Sequence, residues 1–253
     1  MRGLAAVGEL AWSEDFDGPV GSPPAASTWT AELGAGGWGC DQRQWYTDSA
    51  ANASITADGH LTVVGRQDGI VNESGDIVAG SITSARLMSK DKVTVTYGRI
   101  AARIRVPAGL GMWPAFWMLG SDIDEVGWPG CGEIDVMEYV GSDPTRVHGT
   151  VHGPGYAGLE HGIGKAYDTG TDLASGFHVY AVDWTANQIT WLIDDTVYSQ
   201  LTPAEVPGPW PFTHPFFLVI NLAIGGAWPG NDTDNPALPA HMLIDWIHVY
   251  EHR

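Results

Sequence analysis

The chain has 253 residues, 44% of them hydrophobic and only 17% charged, a composition that excludes disorder and suffices for one sizeable core. Thirty Asp and Glu against 12 Lys and Arg leave a formal charge of −18 at pH 7, so nucleic acid and acidic membrane surfaces are poor partners. Twelve Trp against 6 Phe is an unusual ratio, and indole is the ring best suited to stacking on flat, neutral ligands. The opening MRGLAAVGELAWSEDF lacks the uninterrupted apolar stretch of a signal peptide, and no run approaches a membrane-spanning length, so the chain as given is expected to be soluble.

Period-two alternation recurs along the chain and helical periodicity is almost absent. Residues 18–27 (GPVGSPPAAS) read as a turn-rich stretch. In residues 97–106, Ile100, Ala102, Ile104 and Val106 fall on one side and Ala101, Arg103 and Arg105 on the other, a strand with one wet face. Residues 153–170 again read as turn-rich. Residues 188–198 (QITWLIDDTVY) alternate Ile189, Trp191 and Ile193 and then meet Asp194-Asp195, a pair suited to a tight hairpin reversal. A third turn-rich stretch covers 202–215. Residues 242–251 alternate with apolar groups on both faces and read as a central strand. Many strands, turns between them and no crossover helices predict an all-β sandwich of two antiparallel sheets. One domain is expected over residues 1–253, with its core at about 10–252.

The densest chemistry is CGEIDVMEYVG at 131–141, where Glu133, Asp135 and Glu138 sit among Ile134, Val136, Met137, Tyr139 and Val140. Acid spacing alone is weak evidence, but carboxylates on a strand with an apolar back face are electrostatically costly. Glu133 and Asp135 share a face, whereas Glu138, five residues from Glu133, points to the other side of a regular strand. A β-bulge at Val136-Met137 returns it to the same face. Two convergent carboxyls suit a retaining glycosidase, which needs them at a separation of about 5 Å. Mutual repulsion keeps at least one proton on the set near neutrality, and Asp135 between the two Glu tunes them.

Other candidates are read singly. Cys40 and Cys131 lie 91 residues apart without CxxC spacing, so they are either free or one long-range disulfide. His148 and His152 share a strand face, but no third ligand completes a metal site. Trp113 and Trp117 read as core or as ligand platform.

The run GEIDVMEYVG resembles the active-site strand of glycoside hydrolase family 16, in the form with the extra Met that characterises its laminarinase-type branch. Similar blocks run in order along nearly the whole chain: WSEDFDG at 12–18, WGCDQRQWYT at 38–47, SARL at 84–87, YGRIAARIR at 97–105, GLGMWPAFWMLG at 109–120, HGTVHG at 148–153, GGAWPG at 225–230 and IDWIHVY at 244–250. The resemblance implies a concanavalin A-like β-jelly roll with an open concave cleft. It also implies a secreted, monomeric, retaining endo-β-1,3-glucanase that acts on laminarin-like polysaccharide. Alternatives are a non-catalytic β-glucan recognition protein, or a relative acting on lichenan, galactan or another polysaccharide. By resemblance Glu133 is the nucleophile and Glu138 the acid/base, with Asp135 and His152 assisting. Trp113, Trp128, Arg86, Gln44, Asn221 and Trp228 contact sugar, Arg86 being equally suited to neutralising the acidic strand, and Trp117 goes to the core. No cofactor is implied for catalysis. A structural calcium is implied at Asp245, with main-chain oxygens of Glu14 and Gly59. Where laminarinases read Trp-Gly-Asn-Asn-Glu-Leu-Gln, this chain has Cys40, Asp41, Gln42 and Arg43 before Gln44, which alters polar contacts in the glycone half of the cleft.

Overall fold

Alternation decides which side of each strand meets its neighbour. In the strand Gly98–Arg105, Ile100, Ala102 and Ile104 are fully buried against the core, while the other face runs from buried Arg99 and Ala101 through half-buried Arg103 to exposed Arg105. The computed structural model describes residues 8–67, 70–71, 77–78, 81–230 and 238–252.

In chain order the principal strands are β1 (Leu10–Glu14), β2 (Leu61–Gln67), β3 (Arg86–Met88), β4 (Gly98–Arg105), β5 (Met112–Gly120), β6 (Glu133–Glu138) and β7 (Arg146–His152). They continue as β8 (Ile163–Asp168), β9 (His178–Thr185), β10 (Gln188–Ile193), β11 (Thr196–Leu201), β12 (Phe216–Ile224) and β13 (Ala240–Tyr250). Two sheets form a β-jelly-roll sandwich. One runs β11-β10-β9-β4-β13-β2 with β1 beside β13, and the other runs β8-β7-β6-β5-β12-β3. All these pairings are antiparallel. Between the sheets lies a core that includes Ile104, Phe116, Met137, Val151, Trp184, Trp191, Leu218 and Ile244. Ridding that much apolar surface of water is the main force that closes the sandwich.

The hairpin at Asp194-Asp195 forms as its sequence predicts: both residues take positive φ, 46° and 63°, the backbone a two-residue primed turn requires. Two sequence expectations are corrected. The stretch 153–170 is not turn throughout, because Ile163–Asp168 forms β8 at the sheet edge, paired with β7. Its alternation is weak because little of it is buried. Gly164 is required there, since a Cβ would stand 2.1 Å from the carbonyl oxygen of Gly149. The second correction concerns β13, which is not a single alternation. Its register with β4 shifts between Trp246, opposite Arg103, and Ile244, opposite Ile104. Asp245 is the extra residue of a bulge. Met242, Ile244, Ile247 and Val249 therefore all face the core, while Asp245, Trp246 and His248 are only partly buried and the two rings stack 4.2 Å apart.

Candidate active site

The acidic strand β6 is the third from the edge of its sheet and is held on both sides. Against β5, Asp135 pairs with Trp117, but Met137 already pairs with Phe116, so Val136 is surplus. Against β7, Asp135 pairs with Thr150 and Glu138 with His148, three steps on one strand against two on the other. The bulge is therefore at Val136-Met137. Ile134, Val136 and Met137 are fully buried in the core, and Glu133, Asp135 and Glu138 all line the opposite, open face.

Each carboxylate has its own partner. Trp128 Nε1 donates to Glu133 Oε2 at 2.7 Å, and Trp113 Nε1 donates to Glu138 Oε1 at 3.1 Å. His152 Nε2 lies 3.3 Å from Asp135 Oδ2 and 3.8 Å from Glu133 Oε1, and Glu133 and Asp135 share a hydrogen bond. Burial, followed by the charge of Asp135, pushes the Glu133 carboxyl up to about 8. The same two causes raise Glu138 well above the carboxylate range, and burial raises Asp135. His152 favours the anion of both Glu, and Glu133 accepts the shorter of the two indole bonds. The proton that mutual repulsion keeps on the set therefore rests on Glu138 in preference to Glu133. Glu133, Asp135 and His152 are close enough to be considered as metal donors, their ligand atoms lying within 4.8 Å of one another.

The face opens into a cleft of about 1050 Å³. Trp128 is 48% exposed at its mouth, while Trp113 is almost buried and meets Trp228 edge to face, with ring centroids 5.3 Å apart. His148 also packs edge to face on Trp228 at 4.8 Å, and burial lowers its pKa, which favours the neutral ring. At the other wall Arg86 is sandwiched between the rings of Trp38 and Trp117, at 4.8 and 4.7 Å, and pairs with Glu32 at 2.5 Å. Trp38 Nε1, Asp135 Oδ2, His148 Nε2 and His152 Nδ1 are buried without a protein hydrogen-bond partner, and their residues all line this cleft. Such atoms suit a ligand rich in hydroxyl groups.

A family model described as glycosyl hydrolases family 16 matches residues 38–248. The chain belongs to this family. A β-glucanase of Rhodothermus marinus is 37% identical over 96% of this chain and 85% of its own length. Glucan endo-1,3-β-glucosidase A1 of Niallia circulans is 33% identical over 96% of this chain, which spans only 38% of that protein. Among solved structures, the laminarinase catalytic domain of Thermotoga maritima MSB8 superposes with a TM-score of 0.89 at 39% identity, covering 98% of this chain and 99% of that one.

The remaining family 16 positions divide between wall and frame. Asn221 lines the cleft, accepting from Trp117 Nε1 at 2.7 Å and donating to Tyr46 Oη at 3.2 Å. Trp117, assigned to the core on sequence, lines the cleft instead: Trp113, Ala115 and Trp117 share one face of β5, and Met112, Phe116 and Met118 take the core side. Gln44, expected at the sugar, is fully buried. Its Oε1 accepts from the Ile224 amide at 2.8 Å and its Nε2 donates to Gln42 Oε1 at 2.8 Å, so Gln42 is the residue that reaches the cleft and Gln44 is its strut. Arg86 neutralises Glu32 rather than the acidic strand. Both cysteines are free thiols: Cys131 is buried, with its pKa pushed up to about 11 by that burial, and Cys40 packs beside Trp113 and Trp228.

The calcium expected at Asp245 does not fit the residues present. The Asp245 carboxylate accepts a hydrogen bond from Arg103, and its other oxygen faces His60 Nε2 at 3.4 Å. An arginine on the one carboxylate of the set already supplies the compensating charge that a cation would bring.

Proposed function

We propose that this protein is a retaining endo-β-1,3-glucanase that hydrolyses laminarin-like β-glucans by double displacement. The observation that carries the reading is the bulged strand, which sets three carboxylates on one face of an open, indole-lined cleft and gives the two Glu different partners. Names of the relatives given above support the substrate class. Glu133, its anion held by Trp128, attacks the anomeric carbon while Glu138 passes its proton to the departing glycosidic oxygen. Water then attacks the glycosyl-Glu133 ester, losing its proton to Glu138 and releasing the Glu133 carboxylate. Asp135, hydrogen-bonded to Glu133 and close to His152, orients the nucleophile. Indoles of Trp128, Trp113 and Trp228 offer the apolar surfaces on which flat pyranose faces rest, and Arg86 and Asn221 supply polar contacts on the other wall.

A polymeric substrate calls for action outside the cell, and an open cleft needs no second subunit, so a secreted monomer is the accompanying expectation. The test is a panel of laminarin, lichenan, galactan, agar and carrageenan read by product chromatography. Release of short oligosaccharides from laminarin, with a rapid fall in chain length, is expected. Hydrolysis confined to another polysaccharide would overturn the linkage, and tight laminarin binding without cleavage would make the protein a β-glucan receptor.

With Arg103 on Asp245, calcium is expected to contribute nothing to stability. A cation at 100 times its Kd adds about 2.7 kcal/mol to a protein that binds it only when folded. That corresponds to roughly 5–10 °C in a chain of this size. Thermal unfolding in EDTA and in millimolar calcium should give the same Tm, and a rise in calcium would restore the cation to this corner.

A further inference from the structure

We infer that Trp191 is a positioning residue for the catalytic strand: its indole N–H, reaching across the sandwich from the opposite sheet, holds the bulge that aims Glu138. This rests on the proposed glucanase reading. Trp191 lies on β10 and is fully buried, and β10 belongs to the sheet that carries none of the carboxylates. Its Nε1 donates to the main-chain oxygen of Asp135 at 2.8 Å. Asp135 is the last residue in regular register before the ladder breaks, and Glu138 is the first after it. The hydrogen bond thus falls at the hinge between the two carboxylates.

The opposite strand is cut to admit the indole. Gly149 on β7 lies between Thr150 and His148, which pair with Asp135 and Glu138, so it stands across from the surplus residues of the bulge. A Cβ on Gly149 would come 2.3 Å from Trp191 Cδ1, 2.6 Å from its Nε1 and 2.6 Å from Tyr198 Oη. No side chain fits there while the indole is in place. A bulge has lost part of its ladder and has more than one way to settle. A donor fixed in a close-packed core removes that freedom from the carbonyl at its start.

Trp184 provides the comparison. It is equally buried on the adjacent strand β9, and its Nε1 donates to the Phe212 main-chain oxygen at 3.0 Å, outside the acidic strand. Both Trp191→Phe and Trp184→Phe keep a ring in the core and lose one buried donor, so both should lower Tm. Only Trp191→Phe should lower kcat, by about 10–100-fold with KM within about twofold, the size of effect that follows a misplaced reacting group. Amide hydrogen exchange at Val136 and Met137 should quicken in that variant and not in Trp184→Phe. Gly149→Ala, whose methyl group needs the space of the indole, should reproduce the kcat loss, and it answers the question should Trp191→Phe fail to fold. The inference is overturned if Trp191→Phe and Gly149→Ala keep wild-type kcat and wild-type exchange at the bulge, or if Trp184→Phe loses as much kcat for the same fall in Tm. Wild-type protein inactive on every glucan would sink the glucanase reading alone, because exchange at the bulge still reports whether Trp191 holds it.

Discussion

Replacing Glu133 with alanine is expected to lower kcat on a β-1,3-glucan by on the order of 10⁴-fold or more, the scale seen when a hydrolase loses its nucleophile. Glu138→Ala should be nearly as damaging with natural glucan, whose leaving oxygen needs a proton, and much less so with an aryl glucoside whose leaving group departs unaided. Azide separates the two positions. In Glu138→Ala it should intercept the glycosyl-Glu133 intermediate and give a β-glycosyl azide. In Glu133→Ala it should stand in for the missing carboxylate and give the α-anomer. The physical basis is the split environment of the two acids: Glu133 accepts at 2.7 Å from Trp128 and faces His152, while Glu138 is raised by burial with one contact to Trp113 at 3.1 Å. The opposite pattern of anomers would exchange the two roles. Full activity in Glu133→Ala would remove the carboxylate mechanism altogether.

The same burial makes the site a source of instability at high pH. Glu133 has a folded pKa of about 8, raised first by burial and then by Asp135, against an ordinary value near 4.5. For a group whose pKa is raised on folding, its contribution to stability is complete below the unfolded pKa and is lost as pH climbs through the folded one. The window therefore runs from about pH 4 to about pH 8, and the loss approaches about 4 kcal/mol at its upper end. Glu133→Gln keeps the shape and the acceptor for Trp128 but never ionises. It should unfold with the wild type at pH 4 and melt higher at pH 8, by roughly 8 °C or more. A difference in Tm that stays flat between those pH values would mean that Glu133 is not titrating across this window in the folded protein.

Both sheets were legible in the sequence wherever one face carries polar side chains, because a strand such as β4, with Arg99, Arg103 and Arg105 opposite its aliphatic residues, declares its core side by alternation. The bulge in β6 was legible for a different reason. Three acids cannot be tolerated on the core side, so the five-residue interval from Glu133 to Glu138 requires one surplus residue. The bulge in β13 gave no such sign: its residues are apolar on both faces, and only pairing with β4 shows where Asp245 is inserted. Trp117 was misread although the signal was present, since it alternates with Trp113 on a strand whose even positions fill the core. Gln44 and Asp245 were misread for want of any local signal. The amide that occupies Gln44 belongs to Ile224, and the arginine on Asp245 comes from 142 positions earlier in the chain.

The bulge at Val136-Met137 has a consequence for how this strand tolerates insertion and deletion. Losing one residue from a regular strand reverses every side chain beyond the cut and is ruinous where one face is buried. Here, deletion of Met137 would leave Glu-Ile-Asp-Val-Glu, in which all three acids alternate onto one face without help. Glu138 would still meet His148, with Val136 alone opposite Gly149. The catalytic strand is therefore a place where the chain can change length by one and keep its carboxylates facing the substrate, so that spacing between them can drift through a change in length while the chemistry is retained.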